Sequence, residues 1–530
     1  MGLTGSWDAR ISRRTLLRAG GSATAAYVLL GRTATSAMAA PPFDVDPFTL
    51  GVASGDPTPD GVVLWTRLAP DPLNGGGMPA EVFGVRFEVA ADEAFERIVR
   101  RGAIEAVPEE AHTVHAEIGG LEPDTPYWYR FKWGTAVSDA GRTRTAPPPG
   151  STAATHFAYV SCQNYTRGFF GAYADLAEQD VDLVVHLGDY IYEGAGGHAL
   201  AVRKHHPEAE LFTLNDYRTR HAQYRTDPDL QAAHAAHPFL MTWDDHEFKD
   251  NYADLDLDPD QPLEIVTARR AAAYLAYWEH APLARARKPV GKDMPLFRRL
   301  QWGALATFHV LDTRQYRSDQ IRAVRCDTPA EHDPESRYCK DVLEPTRGIL
   351  GTAQRDWLFE GLATPGAAWN VIANQVGFAP LVRRNDRNEV VFSLDNWDGY
   401  VPDRQRVIDF LAQQQLRNTV VITGDSHENS VRNVPPDFRS LDGNPVATEF
   451  LGTSISSEGD ERPGVPTNTD NPHRLFTDYH RGYVSVTLDT QLWTTEFRVV
   501  ESVMTRTPVA TPLATFVVEN GVPGAQRVGV

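Results

Sequence analysis

The strongest constraint on the fold is a series of short apolar, β-branched runs that each end in ionisable or amide residues. They alternate with longer helical patterns after about residue 150, which is typical of a layered α/β domain. The predicted strands carry the sequences THFAYVSC, VDLVVHLGD, HPFLMTWDD, ALATFHVLDT, WNVIANQV and TVVITGDSH. Open α/β sheets bind ligands beyond the carboxyl ends of their strands, so we expect the polar residues after these runs to share one site.

Helical periodicity predicts helices over residues 170–178, 214–226, 266–280, 352–364 and 404–415. The chain end from about Tyr479 contains YVSVTLD and WTTEFRVVE, whose alternation indicates antiparallel strands. We expect these last strands to complete a second sheet.

The chain before the α/β region divides into two parts. Residues 1–39 contain the pair Arg13-Arg14, a weakly apolar run and the small residues Ala37-Met38-Ala39, which together predict a twin-arginine signal peptide. Residues 40–148 carry short alternating runs separated by turn residues, which is typical of a small immunoglobulin- or fibronectin-like β-sandwich. The Pro-rich phrase TAPPPG indicates a linker, after which residues 149–530 form the α/β domain.

Charge and hydropathy exclude several classes of partner. The 51 Lys and Arg residues are outnumbered by 70 Asp and Glu residues, giving a net charge of −19. Nucleic-acid binding needs basic residues that displace counterions, so we expect no stable nucleic-acid complex. No run in the mature chain is apolar and long enough to span a membrane. We therefore expect a secreted, periplasmic or cell-wall protein, with the twin-arginine export machinery as a partner.

The three cysteines have different expected roles. Cys326 and Cys339 flank a polar segment, and an oxidising compartment favours a disulfide between them. Cys162 is then left over directly after a predicted strand, where a thiolate is a suitable metal ligand.

The polar residues after the predicted strands are chemically compatible with one metal site. Carboxylates and histidines bind divalent or trivalent ions, while thiolate and phenolate suit a transition metal such as iron. A carboxylate shared by two ions would permit two-metal hydrolysis of a phosphate ester. The groups are Cys162-Gln163-Asn164, Asp189 to Glu193, Asp244 to Glu247 with Asp250-Asn251, Asp312 to Arg314, Asn374-Gln375, and Asp425 to His427.

At these residues the sequence resembles the PhoD-type alkaline phosphatases, a calcineurin-like metallophosphoesterase group akin to purple acid phosphatases. The resemblance covers nearly everything after the signal peptide. It includes GVASGDPTPDGVVLWTRLAP, SCQNY, HLGDYIYE, TWDDHE, LDTRQYRSDQ, NQV, NWDGY and TGDSH, in that order. It implies a small N-terminal β-sandwich followed by a metallophosphatase domain. That second domain would have four layers, with two facing sheets between two layers of helices. The resemblance also implies a ferric ion (Fe3+) beside calcium ions (Ca2+).

Carried over by position, the resemblance implies iron ligands at Cys162, Asp189, Tyr192 and His427. Asp189 would also bridge to calcium. Asp244 or Asp245, which the sequence does not separate, would join Asn251 and Asp425 in holding the second kind of ion. His246 would lie near the leaving group or the phosphate, and Arg314 would clamp phosphate oxygens through its planar donors. Five other histidines are expected to be surface or helix residues: His205, His206, His221, His234 and His237.

The predicted function is hydrolysis of phosphomonoesters, phosphodiesters or both by an exported alkaline phosphatase, with a metal-activated hydroxide attacking phosphorus. No GxSxG motif indicates a covalent serine intermediate. One alternative is a phosphodiesterase of phospholipase D type, which would meet phospholipid headgroups by docking at a surface. A remote alternative is a cell-surface binding protein whose metal site is structural and has no open ligand position.

Overall fold

The computed structural model describes residues 45–256, 261–321, 338–385, 387–437, 441, 444–464, 468–506 and 509–530. The predicted signal peptide and Cys326 lie outside these residues, so the export and disulfide predictions are not addressed by the structure.

Helices and strands alternate after residue 150, as the sequence predicts. The helices are α1 (Gly171–Ala177), α2 (Leu214–Arg225), α3 (Pro228–Ala236), α4 (Leu263–His280), α5 (Gly351–Ala363) and α6 (Val401–Gln413). The strands of the first part are β1 (Val52–Thr58), β2 (Gly61–Arg67), β3 (Phe83–Ala90), β4 (Ile98–Ala106), β5 (Thr113–Ile118), β6 (Pro126–Trp133), β7 (Ala136–Val137) and β8 (Gly141–Arg144). Those of the central part are β9 (Thr155–Val160), β10 (Leu183–His186), β11 (Pro238–Met241), β12 (Arg298–Trp302), β13 (Ala306–Val310), β14 (Trp369–Ala373), β15 (Arg383–Arg384), β16 (Val390–Val391) and β17 (Thr419–Thr423). The last are β18 (Asn429–Val434), β19 (Ala447–Leu451), β20 (Arg474–Asp478), β21 (Gly482–Leu488), β22 (Leu492–Val499), β23 (Thr511–Glu519) and β24 (Val522–Gly529).

Two large sheets face each other between two layers of helices, so the predicted four-layer arrangement is confirmed. The first sheet has ten strands in the order β24-β23-β22-β21-β9-β10-β11-β1-β2-β5, and the second has seven in the order β12-β13-β14-β17-β19-β18-β20. Strands β9, β10 and β11 are parallel to one another, as are β13, β14, β17 and β19. Parallel strands that are buried on both faces read as continuous apolar runs, which accounts for the pattern in the sequence.

The alternation of side chains along each strand builds the layers. In β9, Phe157 and Tyr159 pack between the two sheets, in the cluster that also contains Phe308 of β13. Ala158 and Val160 point the other way and pack against the first helical layer, with Tyr173 of α1. The opposite helical layer covers the second sheet: α5, α6 and the outer residues of β14 and β17 share a third core.

The prediction that the chain end completes a second sheet is wrong. Strand β21 pairs antiparallel with β9, placing Val484 opposite Tyr159, and β22 to β24 extend the ten-stranded sheet from there. Period-two alternation indicates that a strand is half-buried but not which open sheet edge it joins.

The N-terminal β-sandwich shares one of its sheets with the rest of the molecule. A five-stranded sheet formed by β3, β4, β6, β7 and β8 packs over β1, β2 and β5 around an apolar core that includes Leu64, Val89 and Phe131. Strand β1 continues into the ten-stranded sheet by parallel pairing with β11. The proposed domain division at residue 148 therefore remains a prediction about folding units.

Among the described residues, no helix combines the length and the apolar character that crossing a bilayer requires.

Candidate metal centre

The loops that follow strands of both sheets meet at one place. Cys162 follows β9, Asp189 follows β10 and Asp245 follows β11, all in the first sheet, while His427 follows β17 of the second sheet. The β9 and β10 loops are joined by backbone hydrogen bonds from Cys162 N to Gly188 O (3.0 Å) and from Gln163 N to Asp189 O (3.1 Å). The convergence expected from the strand ends is therefore present.

Three groups of side chains are close enough to hold ions, with ligand atoms within 4.8 Å of one another in each group. The first joins Cys162, Asp189 and His427, and the second joins Asp189, Asp245 and His246. The third joins Asp244, Asp245 and Asp425. Asp189 belongs to the first two groups and Asp245 to the last two, so neighbouring ions would share carboxylates.

Tyr192 completes the first group. Its hydroxyl donates to Asp189 Oδ2 at 2.8 Å and lies 3.4 Å from His427 Nε2. It also lies 2.6 Å from Ser457 Oγ, and that serine donates to the carbonyl of Cys162 at 2.7 Å. Ser457, which sequence reasoning did not select, thus connects the Tyr192 phenol to the Cys162 loop.

Several of these residues have a left-handed backbone conformation, which residues other than glycine rarely adopt. The φ angles are +59° at Cys162, +57° at Asp189, +65° at Asp425 and +51° at His427. Such conformations cost free energy and persist where the surroundings impose them, most often at functional sites. Their concentration here indicates that the loops are shaped to present these side chains.

Gly188 is required by the close approach of two loops. Its φ is +113°, and a Cβ built on it would lie 2.4 Å from the backbone nitrogen of Asp244. The absence of a side chain allows the β10 and β11 loops to pass each other, which brings Asp189 next to Asp245.

Glu247 joins the same two loops through hydrogen bonds to their backbones. Its fully buried carboxylate accepts hydrogen bonds from the backbone N–H groups of Asp189 (3.2 Å), Tyr190 (2.6 Å) and Asp244 (2.9 Å). Burial raises the pKa of Glu247 to about 8, against the effect of these donors. Sequence reasoning placed this residue among the polar groups that follow the strands but gave it no role.

His246 is held by Glu193, a second acid to which sequence reasoning gave no role. His246 Nδ1 donates to Glu193 Oε2 at 2.7 Å, and Glu193 Oε1 accepts from the backbone N–H of Asp250 at 2.8 Å. The imidazole also packs over the Tyr192 ring, with centroids 4.1 Å apart. Burial lowers the pKa of His246, but the carboxylates of Asp189, Asp245 and Glu193 outweigh burial and raise it well above its usual range.

Arg314 lies beneath the acidic residues rather than at an open face. Its Nε and Nη2 donate to both oxygens of Asp244 at 2.6 and 3.0 Å, and its Nη1 and Nη2 donate to Asp395 at 2.6 and 2.9 Å. Its side chain is fully buried. The predicted clamp on substrate oxygens does not fit this geometry, because two carboxylates occupy the guanidinium.

The structure also distinguishes the two adjacent aspartates. Asp245 belongs to two of the three groups, whereas Asp244 belongs to one and accepts two hydrogen bonds from Arg314. Burial raises the pKa of Asp244 to about 7, while Arg314 and His246 outweigh the effect of burial on Asp245 and lower its pKa. Asn251 is exposed; its backbone N–H donates to Asp245 Oδ2 at 2.6 Å and its side-chain amide donates to Asp250 at 3.0 Å.

The donor set fits cations. Burial raises the pKa of the Cys162 thiol well above its usual range, and the Asp189 and Asp425 carboxylates raise it further. Burial likewise raises the pKa of Asp189, whose Oδ1 is buried without a hydrogen-bond partner among the described residues. Bound cations would favour the charged forms of these groups and give Asp189 Oδ1 a partner.

The expectation of surface or helical positions for five other histidines is confirmed for three and wrong for two. His206 is exposed, and His221 and His234 lie in helices α2 and α3, whereas His205 and His237 are buried outside helices. His234 Nε2 lies 2.9 Å from the Tyr190 hydroxyl.

The fold and the donor set together define a metallophosphatase. The chain is 45% identical to alkaline phosphatase D of Bacillus subtilis (strain 168) over 499 residues, which cover 92% of this chain and 84% of that protein. A solved structure of PhoD superposes with a TM-score of 0.86 at 45% identity, covering 92% of this chain and 94% of that one.

Family models give the same result. The model described as PhoD-like phosphatase matches residues 157–497, and the one described as its N-terminal domain matches residues 33–147. The chain belongs to the PhoD-like phosphatase family, as the resemblance predicts. The purple acid phosphatase PPD1 from yellow lupin (Lupinus luteus) seeds shares the fold, with a TM-score of 0.55 at 12% identity, covering 88% of this chain and 73% of that one.

Proposed function

We propose that this chain is an exported alkaline phosphatase that hydrolyses phosphate esters at a mixed iron–calcium centre. The observation that carries the proposal is the shared use of Asp189. Its carboxylate lies in one group with a thiol and an imidazole and in a second group with the Asp245 carboxylate, where the neighbouring His246 serves as a proton donor and not as a ligand. A carboxylate common to two ion sites is the arrangement used in two-metal hydrolysis.

The first group suits iron. Cys162, Tyr192 and His427 offer sulfur, phenol oxygen and nitrogen around Asp189, and all four are buried or half-buried. Thiolate and imidazole ligands favour transition metals over calcium. Ser457 Oγ lies 2.6 Å from the Tyr192 oxygen and donates its proton to the Cys162 carbonyl, so it would help to orient the phenol toward the ion.

The oxygen-rich groups suit calcium, which takes carboxylate, carbonyl and amide oxygens. We assign Asp189, Asp245 and Asp425 to this role. Asp244 is better assigned as the partner of Arg314, which partly offsets the acidic cluster and keeps it compact. Asn251 orients Asp245 through its backbone N–H, and a direct ligand role for its side chain is not needed to explain its position.

Bound ions of these kinds supply Lewis acidity toward phosphoryl oxygens and lower the pKa of water. The protein contributes the placement of a proton donor. His246 Nδ1 donates its hydrogen bond to Glu193, so the other ring nitrogen, Nε2, is left to contact the substrate. The His246 side chain is 21% exposed, so Nε2 can donate to an oxygen of the ester that enters from solvent.

Export by the twin-arginine route would deliver the protein folded, with its metals already bound, to the periplasm, cell wall or medium. The same compartment supports the disulfide between Cys326 and Cys339. Accessible phosphate esters there would include small phosphoesters and phospholipid headgroups.

The test combines metal analysis with two substrates, nitrophenyl phosphate and bis-nitrophenyl phosphate. We expect purified exported protein to contain iron and calcium and to release nitrophenol. Asp189→Asn should lose both metals and activity, whereas Asp409→Asn, an exposed site on α6, should retain both. Activity on the diester alone would favour the phosphodiesterase alternative, and a metal-loaded protein inactive on both esters and on lipid would favour the binding protein.

A further inference from the structure

A cavity of about 500 Å³ opens beside the candidate metal centre. It is lined by the candidate iron ligand His427, together with Ser426, Pro463 and Tyr479. His246, the proposed proton donor, lies near enough to His427 to act on it electrostatically. The cavity is therefore within reach of the alcohol part of an ester whose phosphoryl group is at the metal centre, and we call it the leaving-group cavity.

The charged side chains of the leaving-group cavity are engaged by the protein itself. Arg167 Nη2 donates to both Glu458, at 3.1 Å, and Glu461, at 2.8 Å. Arg481 is buried, and its three guanidinium nitrogens donate to backbone carbonyl oxygens of neighbouring loops. Arg462 also donates to a backbone carbonyl. Hydrogen bonds within the protein thus occupy these charged groups, so apolar surface is the main feature that the cavity offers a ligand.

Tyr479 supplies an aromatic ring to the wall of the leaving-group cavity. The residue is half-buried and also lines a neighbouring cavity, whose wall contains Glu428. Burial raises the pKa of Tyr479, and the Glu428 carboxylate, to which the phenol hydroxyl donates, raises it further. Glu428 is in turn fixed by an ion pair with the buried Arg432. An anchored hydroxyl limits the motion of the ring, so less conformational entropy is lost when a ligand packs on it.

The apolar surfaces of the cavity suit a flat group. Pro463 adds a second apolar surface beside that of Tyr479. Aromatic rings pack on one another in offset or edge-to-face arrangements, and such pairs gain free energy beyond that of the area they bury. A saturated ring of the same size lacks this gain, so the leaving-group cavity favours an aromatic ring over a saturated one.

We propose that the leaving-group cavity binds an aromatic group carried by the alcohol of the substrate, with Tyr479 as the surface on which that group stacks. This inference rests on the proposed ester hydrolysis at the metal centre and names its substrate class, the phosphate esters of alcohols that bear an aromatic ring. Water adds to phosphorus, the P–O bond to the alcohol breaks, and the aromatic alcohol leaves with a proton. Tyr479 is a specificity residue in this scheme and has no part in bond cleavage.

The experiment compares benzyl phosphate with cyclohexylmethyl phosphate, which are esters of primary alcohols with rings of nearly the same size. The saturated ring is the more hydrophobic of the two, so a preference for benzyl phosphate reports stacking and not burial alone. We expect kcat/KM to be about fivefold higher for benzyl phosphate. Binding is measured separately, as competitive inhibition by benzylphosphonate and by cyclohexylmethylphosphonate, and the aromatic inhibitor should bind about fivefold more tightly.

Variants locate the effect. Tyr479→Leu should bring the aromatic and saturated compounds to within about twofold of each other, in both turnover and inhibition. Tyr479→Phe retains the ring and should keep most of the preference. Phe212→Leu removes an exposed ring that does not line the cavity, so this matched control should keep all of it.

Two results would overturn the inference: equal values for the aromatic and saturated compounds in the wild-type protein, or a preference that survives Tyr479→Leu. The first is measured on the wild-type protein alone and is independent of how well Tyr479→Leu folds. Hydrolysis of neither ester by the wild-type protein would instead count against the proposed function.

Discussion

Replacing Glu247 by glutamine tests whether its carboxylate holds the metal loops together. The native side chain accepts three backbone hydrogen bonds, with Oε2 serving Asp189 and Asp244 and Oε1 serving Tyr190. Glutamine has the same shape but only one acceptor oxygen. If that oxygen takes the Oε2 position, the Tyr190 N–H faces an amide NH2 group and loses its partner; the opposite orientation loses two.

A buried donor without a partner costs about 1–3 kcal/mol. At pH 6, where burial keeps the folded-state Glu247 protonated, we expect Glu247→Gln to lower the free energy of unfolding by no more than about 1–3 kcal/mol, the cost of one lost partner. This destabilisation should shrink or reverse at pH 9. Above about pH 4.3 the unfolded chain releases the Glu247 proton, whereas the folded protein keeps it until about pH 8, so wild-type stability falls over this pH range and that of the glutamine variant does not. Metal content should fall as well, since Asp189 and Asp244 are held by the same carboxylate.

The assay is urea unfolding at both pH values, together with metal analysis of the same samples. Glu93→Gln, at an exposed loop position, is the matched control and should leave both readouts unchanged. A destabilisation that grows from pH 6 to pH 9, together with full metal content in Glu247→Gln, would refute this account of the loop geometry.

Other changes probe the backbone, the iron assignment and the buried histidines. Gly188→Ala should destabilise the protein by more than about 2 kcal/mol and abolish metal binding, because its Cβ would lie 2.4 Å from Asp244 N; normal thermal stability would contradict this. Tyr192→Phe should lose any visible phenolate–iron absorption, and unchanged colour would remove Tyr192 from the ligands. Chelation should lower the unfolding temperature of the wild-type protein more than that of Asp189→Asn, because only the former binds ions strongly; equal shifts would argue against the site. Burial lowers the pKa of His115 to about 3. Between about pH 3 and 6.5 the unfolded state therefore binds a proton that the folded state does not bind. His115→Phe should therefore reduce the slope of unfolding free energy against pH, between pH 4 and 6, by about 1.4 kcal/mol per unit, and an unchanged slope in urea titrations would exclude that cause.

Much of the architecture follows from local patterns. The apolar runs before Cys162 and Asp189 are strands β9 and β10, and the predicted helices occur within a few residues of their expected ends. Such runs are informative because parallel strands buried on both faces need apolar residues throughout, and because their polar ends must face the same edge. The family resemblance depends on those same strand ends.

The division of roles within the site is less accessible to sequence reasoning. Arg314 has the residue type of a phosphate clamp, yet the fold surrounds it with Asp244 and Asp395, the latter more than 80 positions away. Glu193 and Glu247 look like ordinary motif neighbours until their carboxylates are seen to bind His246 and the loop backbones. Contacts of this kind depend on how distant loops pass each other, which local pattern does not encode.

The sequence by itself determined the secondary structure of the α/β region and the set of polar side chains available for chemistry, because these depend on composition and short-range periodicity. It also indicated the family, through the resemblance of its ordered motifs. Only the tertiary structure decided that the last strands join the first sheet, that Arg314 is buried, and that Asp189 belongs to two neighbouring groups of potential metal ligands. Those outcomes follow from which sheet edge is open beside β9 and from the left-handed turns at Asp189 and His427, where long-range packing imposes conformations that local preferences oppose.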